Sequence, residues 1–143
     1  MLLLCSCSLL KNRTIKNTAT ELWMHDFEQV LDNEQSAIIS GRNVRGKDFA
    51  KYVSKRTEIE ILDLKEINDK DVVVLARMKT VSPEARKIVL EILSVRDSGA
   101  AGAFNFSDGL NLIHHEKPDL KIESDKDLEM ELQEKDGEWR RTK

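Results

Sequence analysis

The chain has 143 residues, of which 34% are charged and 40% hydrophobic, and its formal net charge is −3. This length allows one domain with a substantial core. A negative net charge argues against a general attraction to nucleic acid or to an anionic membrane surface. Because no apolar run approaches the ~20 residues of a membrane-spanning helix, we expect a soluble protein without a membrane span. The cytoplasm is the expected compartment, with secretion and lipid anchoring left open.

Residues 1–16 are predicted to be a flexible or misassigned N-terminal segment. The apolar run Met1–Leu10 has no positively charged start and ends early at Lys11, so it does not fit a signal peptide. The sequence Leu4–Cys7 resembles a lipoprotein attachment box with few residues before it. Cys5 and Cys7 are separated by one residue and are the two cysteines of the chain, so no disulfide framework is expected.

Residues 17–117 are predicted to form an α+β domain that begins with a helix. Thr18 and Glu21 resemble a capping box. Apolar residues then recur at helical spacing up to about Asp32, at Leu22, Trp23, Phe27, Val30 and Leu31. This amphipathic pattern predicts a helix that covers the core.

A short strand and a short helix are predicted next. Ser36–Gly41 is an apolar strand candidate, and a turn follows it. Asp48 then caps a helix that carries Phe49, Tyr52 and Val53. The basic residues around this helix are typical of a solvated face, and a phosphate-binding surface is the less favoured alternative.

Two strands are predicted on either side of a turn at Asn68–Lys70. Thr57–Leu64 alternates isoleucines with glutamates, which is typical of a strand with one wet face. In Asp71–Val81 the alternate residues separate by polarity, which is typical of a half-buried central strand. The predicted buried face of this central strand consists of Val72, Val74, Ala76 and Met78.

The run Arg86–Arg96 fits two structures. Ser82 as N-cap with Pro83 in the first helical position favours a helix. A strand from Ile88 would instead give the central strand an immediate hairpin partner. We favour the strand, and the helix remains the alternative.

The run Ala103–His115 is predicted to be a β-hairpin. Asp108 and Gly109 stand between alternating apolar residues, and this dipeptide favours a type I′ turn because glycine tolerates positive φ. Phe104 and Phe106 would then face the leucines of the second strand.

Residues 118–143 are predicted to be a flexible charged tail. Pro118 marks its start, and charged residues dominate the sequence that follows. Such a composition buries too little apolar surface to offset the entropy cost of ordering the chain.

The sequence has no motif that specifies a reaction. It lacks a glycine-rich phosphate loop, metal-ligand spacing and a nucleophile motif, so no cofactor and no metal are expected. His114 and His115 are adjacent and would point to opposite faces of a strand. If the protein is an enzyme, Asp26 or Asp48 would be the general base, and Tyr52 or His114 the hydrogen-bond donor.

The order of these predicted elements resembles a known superfamily. The residues that carry the resemblance are Ile38–Val53, with a short strand, a glycine-containing turn and a helix, together with Ile92–Asp97. In this order the chain is similar to the nuclear transport factor 2-like superfamily, which includes SnoaL-like and ketosteroid isomerase-like proteins.

The resemblance implies a cone-shaped fold, in which an N-terminal helix packs on a curved antiparallel sheet around an apolar pocket. The residues expected to line this pocket are Trp23, Phe27, Tyr52, Met78, Phe104 and Phe106. If Pro83–Arg96 is a helix, the chain instead resembles the small α/β core of SepF-type cell-division proteins. Fold alone does not choose a function within either group.

The expected function is a non-catalytic binding or interaction domain, with a small-molecule isomerase or dehydratase as the alternative. A small apolar ligand and a homodimer through the outer sheet face are the expected partners. That face would be supplied with apolar area by Val73, Leu75, Leu93 and Val95.

Overall fold

The computed structural model describes the backbone of residues 2–38, 46–96 and 106–142, and the side chains of residues 9–38, 49–92 and 109–142. In these residues the elements are, in chain order, α1 (Leu2–Ile38), α2 (Gly46–Lys55), β1 (Glu58–Glu66), β2 (Asp71–Val81), α3 (Pro83–Arg96), α4 (Phe106–Glu116), β3 (Glu123–Lys135) and β4 (Glu138–Arg141). The strands form one antiparallel sheet in the order β1-β2-β3-β4, which is not closed into a barrel. The predicted α+β class, with an N-terminal helix and an antiparallel sheet, is confirmed.

The chain divides into two compact units. The first unit contains residues 1–26, 59–78 and 126–143, and the second contains residues 27–58 and 79–125. Both units take residues from distant parts of the sequence. A boundary drawn at single positions along the chain, as at 17 and 117, therefore does not describe them.

The first helix begins well before the predicted capping box. The backbone is helical from Leu2, and Ile15 is fully buried, so the prediction of a flexible segment 1–16 is wrong. Thr18 lies inside α1 and does not start it. The apolar stripe of the helix continues upstream of Trp23 through Ala19 to Ile15, at a spacing of four residues, and this continuation outweighs a local capping pattern.

Two threonines of α1 show how hydroxyl residues are accommodated inside this helix. Thr14 Oγ1 donates to the Leu10 carbonyl (2.9 Å), and Thr20 Oγ1 donates to the Lys16 carbonyl (2.8 Å). Each hydroxyl is satisfied one turn back along its own helix, so it need not act as a cap. At the other end of α1, Ser36–Ile38 is helical, which contradicts the start of the predicted strand there; residues 39–41 lie outside the described residues.

The core of the first unit lies between α1 and one face of the sheet. Its buried members are Ile15, Ala19, Trp23, Val72, Val74, Ala76, Met130 and Leu132. Partly buried residues pack against this core from the helix and from β1, β3 and β4: Leu22, Ile59, Ile61, Leu64, Leu128 and Trp139. The predicted buried face of the central strand, including Met78, is confirmed.

The C-terminal segment is part of this core, so the prediction of a flexible charged tail is wrong. In β3, Met130 and Leu132 are 3% and 1% exposed, whereas the charged residues between and around them face solvent. Composition averages over both faces of a strand. A strand with a few apolar residues on one face and charged residues on the other therefore has the composition of a disordered segment, although its apolar face is buried.

The two Asp-Gly pairs of the chain adopt different structures. Asp136 and Gly137 have φ values of 55° and 80°, and they join β3 to β4 as a type I′ turn. Asp108 and Gly109 lie within α4, so the predicted hairpin Ala103–His115 is wrong; residues 103–105 are outside the described residues. An Asp-Gly pair favours a hairpin turn, but at residues 108 and 109 the packing of α4 against α3 outweighs this local preference.

Gly109 allows the close approach of α4 to α3. A Cβ atom at this position would lie 2.9 Å from Cγ1 of Val89, which is closer than nonbonded carbons pack. Glycine is therefore required here for packing, and positive φ is not the reason.

Residues 83–96 form helix α3, so the favoured strand is wrong and the alternative is confirmed. Ser82 is the N-cap, since its Oγ accepts a hydrogen bond from the Ala85 amide (3.2 Å) while donating to the Lys121 carbonyl (2.8 Å). Helix α3 buries Ala85, Val89 and Leu90. The Ser-Pro start and this helical stripe outweigh the advantage of a nearby strand partner.

A buried guanidinium joins α1 to α3 within the second unit. Arg86 donates to both carboxylate oxygens of Glu34, through Nε (2.8 Å) and Nη2 (2.7 Å), and to the Val81 carbonyl through Nη1 (2.6 Å). Its guanidinium also lies 5.4 Å from the ring centroid of Phe27. The side chain of Arg86 is 5% exposed and that of Glu34 is 28% exposed. A bidentate partner, a carbonyl and an aromatic face together compensate the loss of hydration.

Removing the carboxylate of Glu34 is expected to destabilise the protein more than removing an exposed one. Glu34→Gln should lower the free energy of unfolding by about 3 kcal/mol, because it leaves a buried cation without its counter-charge. The matched control is Glu28→Gln, an exposed position on the same helix, which should change stability by less than about 0.5 kcal/mol. Urea denaturation compares them, and equal effects would show that the buried ion pair contributes little.

The burial of β3 in the core predicts that truncating one of its apolar side chains will destabilise the protein. Leu132→Ala should destabilise the protein by about 2–5 kcal/mol, since it removes a fully packed side chain. Gln133→Ala, at the neighbouring exposed position, is the control and should be close to neutral. A near-zero shift of the denaturation midpoint for Leu132→Ala would contradict the placement of β3 in the core.

Candidate functional site

The four predicted catalytic residues lie in both units of the chain. In the first unit, Asp26 is exposed and forms an ion pair with Arg141 (Oδ2 to Nη1, 2.7 Å). The second unit holds the other three. Tyr52 is half-buried on α2, with the Arg56 guanidinium 5.5 Å from its ring centroid. Asp48 lies one helical turn before it, with its side chain outside the described residues, and His114 is exposed near the end of α4.

The predicted pocket residues are likewise spread over both units. Trp23 and Met78 are buried in the first unit, each 7% exposed, and Trp23 belongs to its core. Phe27 is buried in the second unit beneath Arg86. Phe104 is outside the described residues, and Phe106 begins α4 with its side chain undescribed.

Two surface hollows occur in the first unit, and the predicted site residues line neither. One is about 660 Å³ and is lined by Leu9, Leu10, Asn12, Arg13, Lys16 and Asn17. The other is about 310 Å³ and is lined by Gln133, Lys135, Arg140, Arg141 and Thr142. Among the described residues, no three histidine, cysteine or carboxylate side chains are grouped to hold a metal ion, and no helix is long and apolar enough to cross a membrane.

The face of the sheet that points away from α1 carries a regular arrangement of apolar and charged side chains. Strands β2 and β3 pair in one register, since the Glu134 amide donates to the Lys70 carbonyl at one end (2.8 Å) and the Ser82 amide to the Ile122 carbonyl at the other (2.6 Å). Odd-numbered residues of β2 point away from the core, because alternate side chains of a strand face opposite sides.

In this register each outward residue of β2 has a β3 partner. Val73 lies opposite Glu131, and Leu75 lies opposite Glu129. The next pair along the strands is Arg77 with Asp127, which form an ion pair (Nε to Oδ1, 3.3 Å). The carboxylates of β3 therefore line one side of two outward apolar residues on β2.

Strand β1 contains one residue more than the stretch of β2 that it pairs with. At the turn, the Ile67 amide donates to the Asp71 carbonyl (2.9 Å). At the far end, Thr57 Oγ1 and Thr80 Oγ1 are 2.8 Å apart. Counting from both ends leaves one unmatched residue in β1, which indicates a β-bulge.

Burial locates the bulge at Leu62 and Asp63. Ile61 and Leu64 are both partly buried against the core although they are three residues apart, so the alternation changes phase between them. Both residues between them lie opposite Leu75. Asp63 Oδ1 accepts a hydrogen bond from the Leu64 amide (2.8 Å), which satisfies a backbone donor next to the bulge.

Leu62 points outward beside the apolar residues of β2, while the bulge keeps Asp63 on the same side and returns Leu64 to the core. Leu62 is 46% exposed, and Val73 and Leu75 are half-buried. We call these three residues the outer strip. Of the apolar residues predicted for this face, Val73 and Leu75 are on it, whereas Leu93 and Val95 belong to α3 with their side chains outside the described residues.

Leu62 is the residue that the sequence reasoning missed. Its neighbours Ile59 and Ile61 carry the signal, because strict alternation with them already places Leu62 on the outer face. The same alternation would also place Leu64 outward, so the burial of Leu64 marks a change of phase. A phase change inside a strand pattern is therefore the mark of a bulge that a search for regular alternation overlooks.

The bulge predicts different outcomes for two single-residue deletions in β1. Deleting Asp63 should be tolerated within about 1 kcal/mol, because it restores regular alternation with Ile61 and Leu64 still inward. Deleting Glu60 should cost about 2 kcal/mol or more, because Ile59 then turns outward. Chemical denaturation of the two deletion variants measures the difference, and equal losses would place the extra residue elsewhere.

In comparisons with known proteins, no family model, no curated protein and no solved structure matches the chain. The resemblance to the nuclear transport factor 2-like superfamily therefore stays a prediction. The structure itself provides an α+β fold with a long N-terminal helix on an open antiparallel sheet.

Proposed function

We propose that the protein is a non-catalytic interaction domain that forms a homodimer through the outer strip of its sheet. The observation that carries the proposal is the exposed Leu62, which lies beside Leu75 on the face turned away from α1. Contiguous apolar surface that is exposed to water is stabilised when an assembly covers it.

The surroundings of the outer strip fit an interface. Its apolar centre is bordered by the carboxylates Glu129 and Glu131 and by the ion pair of Arg77 with Asp127, and a polar rim of this kind is typical of protein–protein contacts. The side chains of this ion pair are 46% and 81% exposed, so the pair contributes little to the stability of the monomer. Arg77 is therefore able to exchange its partner for a carboxylate of a second copy.

A two-fold arrangement uses these groups twice. In a symmetric dimer the same patch faces itself, so Arg77 of each copy meets the acidic residues of the other copy. The apolar strip then packs against its own symmetry mate. The small-ligand and isomerase or dehydratase alternatives rest on the resemblance and remain predictions.

The test is the oligomeric state of the intact chain and of two variants with matched exposure. Leu62→Glu introduces a charge into the apolar centre and should weaken the dimer at least about tenfold, which corresponds to about 1.4 kcal/mol. Val30→Glu is the control, because Val30 is 45% exposed on α1 and belongs to the second unit, not to the outer strip. Sedimentation equilibrium over a concentration series gives the dissociation constants, and circular dichroism verifies that both variants are folded.

Two results would overturn the proposal. One is a wild-type chain that stays monomeric at every concentration measured. The other is an equal loss of dimer in Val30→Glu and Leu62→Glu, which would mean that a general effect of added charge, and not the outer strip, controls association.

A further inference from the structure

Lys11 marks the place where α1 reaches the end of the sheet in the first unit. Its Nζ donates to the Asp69 carbonyl (3.1 Å) and lies 3.8 Å from Glu66 Oε1, at the turn between β1 and β2. It also lies 5.6 Å from the ring centroid of Trp139, just after the turn between β3 and β4. The helix continues beyond these turns from Leu10 back to Leu2, a stretch of about 13 Å at 1.5 Å per residue.

The most exposed large apolar side chains of the described residues gather at this end. Leu9 is 70% exposed, Leu10 is 61% exposed, and Ile67 is 62% exposed. Ile67 follows Glu66, which Lys11 contacts, so the two leucines of the helix and the isoleucine of the turn come from separate segments to one end of the unit. We call these three residues the apolar tip.

Cations follow the apolar tip along the helix. The first 20 residues contain Lys11, Arg13 and Lys16 and no carboxylate. Lys11 is engaged by Glu66, whereas Arg13 and Lys16 are exposed and form no ion pair with any described residue. Both line the hollow of about 660 Å³ that also includes Leu9 and Leu10.

We propose that this end of the first unit inserts into the surface of a lipid bilayer that contains anionic phospholipid. Leu9, Leu10 and Ile67 enter the boundary between headgroups and acyl chains, and Arg13 and Lys16 bind headgroup phosphates. The order along the helix supports a lipid partner, because the cations lie about 5–10 Å behind the leucines along the axis. This separation allows the leucines to contact the boundary of the acyl chains while the cations stay at the level of the headgroup phosphates.

The cations of α1 favour an anionic lipid surface over a neutral one. The turn beside the helix contributes the carboxylates of Glu66 and Asp69, and Lys11, which pairs with Glu66 and donates to the backbone carbonyl of Asp69, offsets one of these two charges. Arg13 and Lys16 are then the cations available to the lipid. Each basic residue near an anionic surface adds to the attraction, and salt weakens that part of the binding.

The experiment is co-sedimentation of the full chain with two kinds of vesicle. One contains phosphatidylcholine alone and is neutral, and the other contains phosphatidylcholine and phosphatidylglycerol at about 3:1 and is anionic. The double variant Leu9→Ser with Leu10→Ser should lower the partition coefficient at least about tenfold on both vesicle types. The double variant Arg13→Gln with Lys16→Gln should lose the preference for anionic vesicles and keep binding at the phosphatidylcholine level. High salt should reproduce the effect of the second variant.

Leu62→Ser is the matched control, since it removes an exposed leucine from the outer strip and should leave vesicle binding unchanged. This control also separates the inference from the proposed dimer, which depends on Leu62 and not on Leu9 or Leu10. Circular dichroism verifies folding of every variant.

Three results would overturn the inference. They are a wild-type chain that does not sediment with either vesicle, a leucine variant that binds as the wild type does, and a leucine variant that changes the oligomeric state in the absence of any vesicle binding. The last result would assign the apolar tip to a contact between protein chains.

Discussion

The packing of the α1 stripe against the paired strands β2 and β3 is the contact on which the first unit depends. Ile15, Ala19 and Trp23 follow one another at intervals of four residues and so present one continuous face. That face packs against both β2 and β3, and β3 supplies Met130 and Leu132. Because β3 is far from β2 in sequence, the core forms when distant parts of the chain meet, and its loop-closure entropy has to be recovered by apolar burial.

The second unit contains a buried charged side chain. Arg86 is held by a bidentate carboxylate, a carbonyl and an aromatic ring, and every described buried side-chain nitrogen or oxygen atom has a hydrogen-bond partner. A buried ion pair of this kind adds little stability compared with well-packed apolar side chains in its place. Removing one partner is strongly destabilising, because the other charge is then left buried without compensation. The ion pair therefore specifies how the C-terminal part of α1 meets the start of α3.

The two candidate contact surfaces of the first unit have different chemistry. The outer strip is a flat set of aliphatic side chains on a sheet face, bordered by carboxylates and one exposed ion pair. The apolar tip combines two leucines of α1 with an isoleucine of the neighbouring turn, and cations follow it along the helix. A sheet face offers a fixed register to a folded partner, whereas exposed leucines with cations beside them fit a fluid surface that needs no shape complementarity. One unit can present both because they use different elements.

The sequence by itself determined the parts of the fold whose signal is local. Period-two alternation identified β2 with its bounds and its buried face, and similar patterns identified β1 and the turn at Asn68–Lys70, where Asn68 Oδ1 accepts the Lys70 and Asp71 amides. The tertiary structure decided whether 83–96 is strand or helix, which Asp-Gly pair makes a hairpin, and whether the charged C-terminal segment is ordered. In each of these cases two local structures have similar intrinsic energies, so the partner that buries the apolar face makes the choice. The candidate site followed the same division. Val73 and Leu75 were visible as an outward apolar pair, but only the pairing of β1 with β2 shows that Leu62 lies beside Leu75.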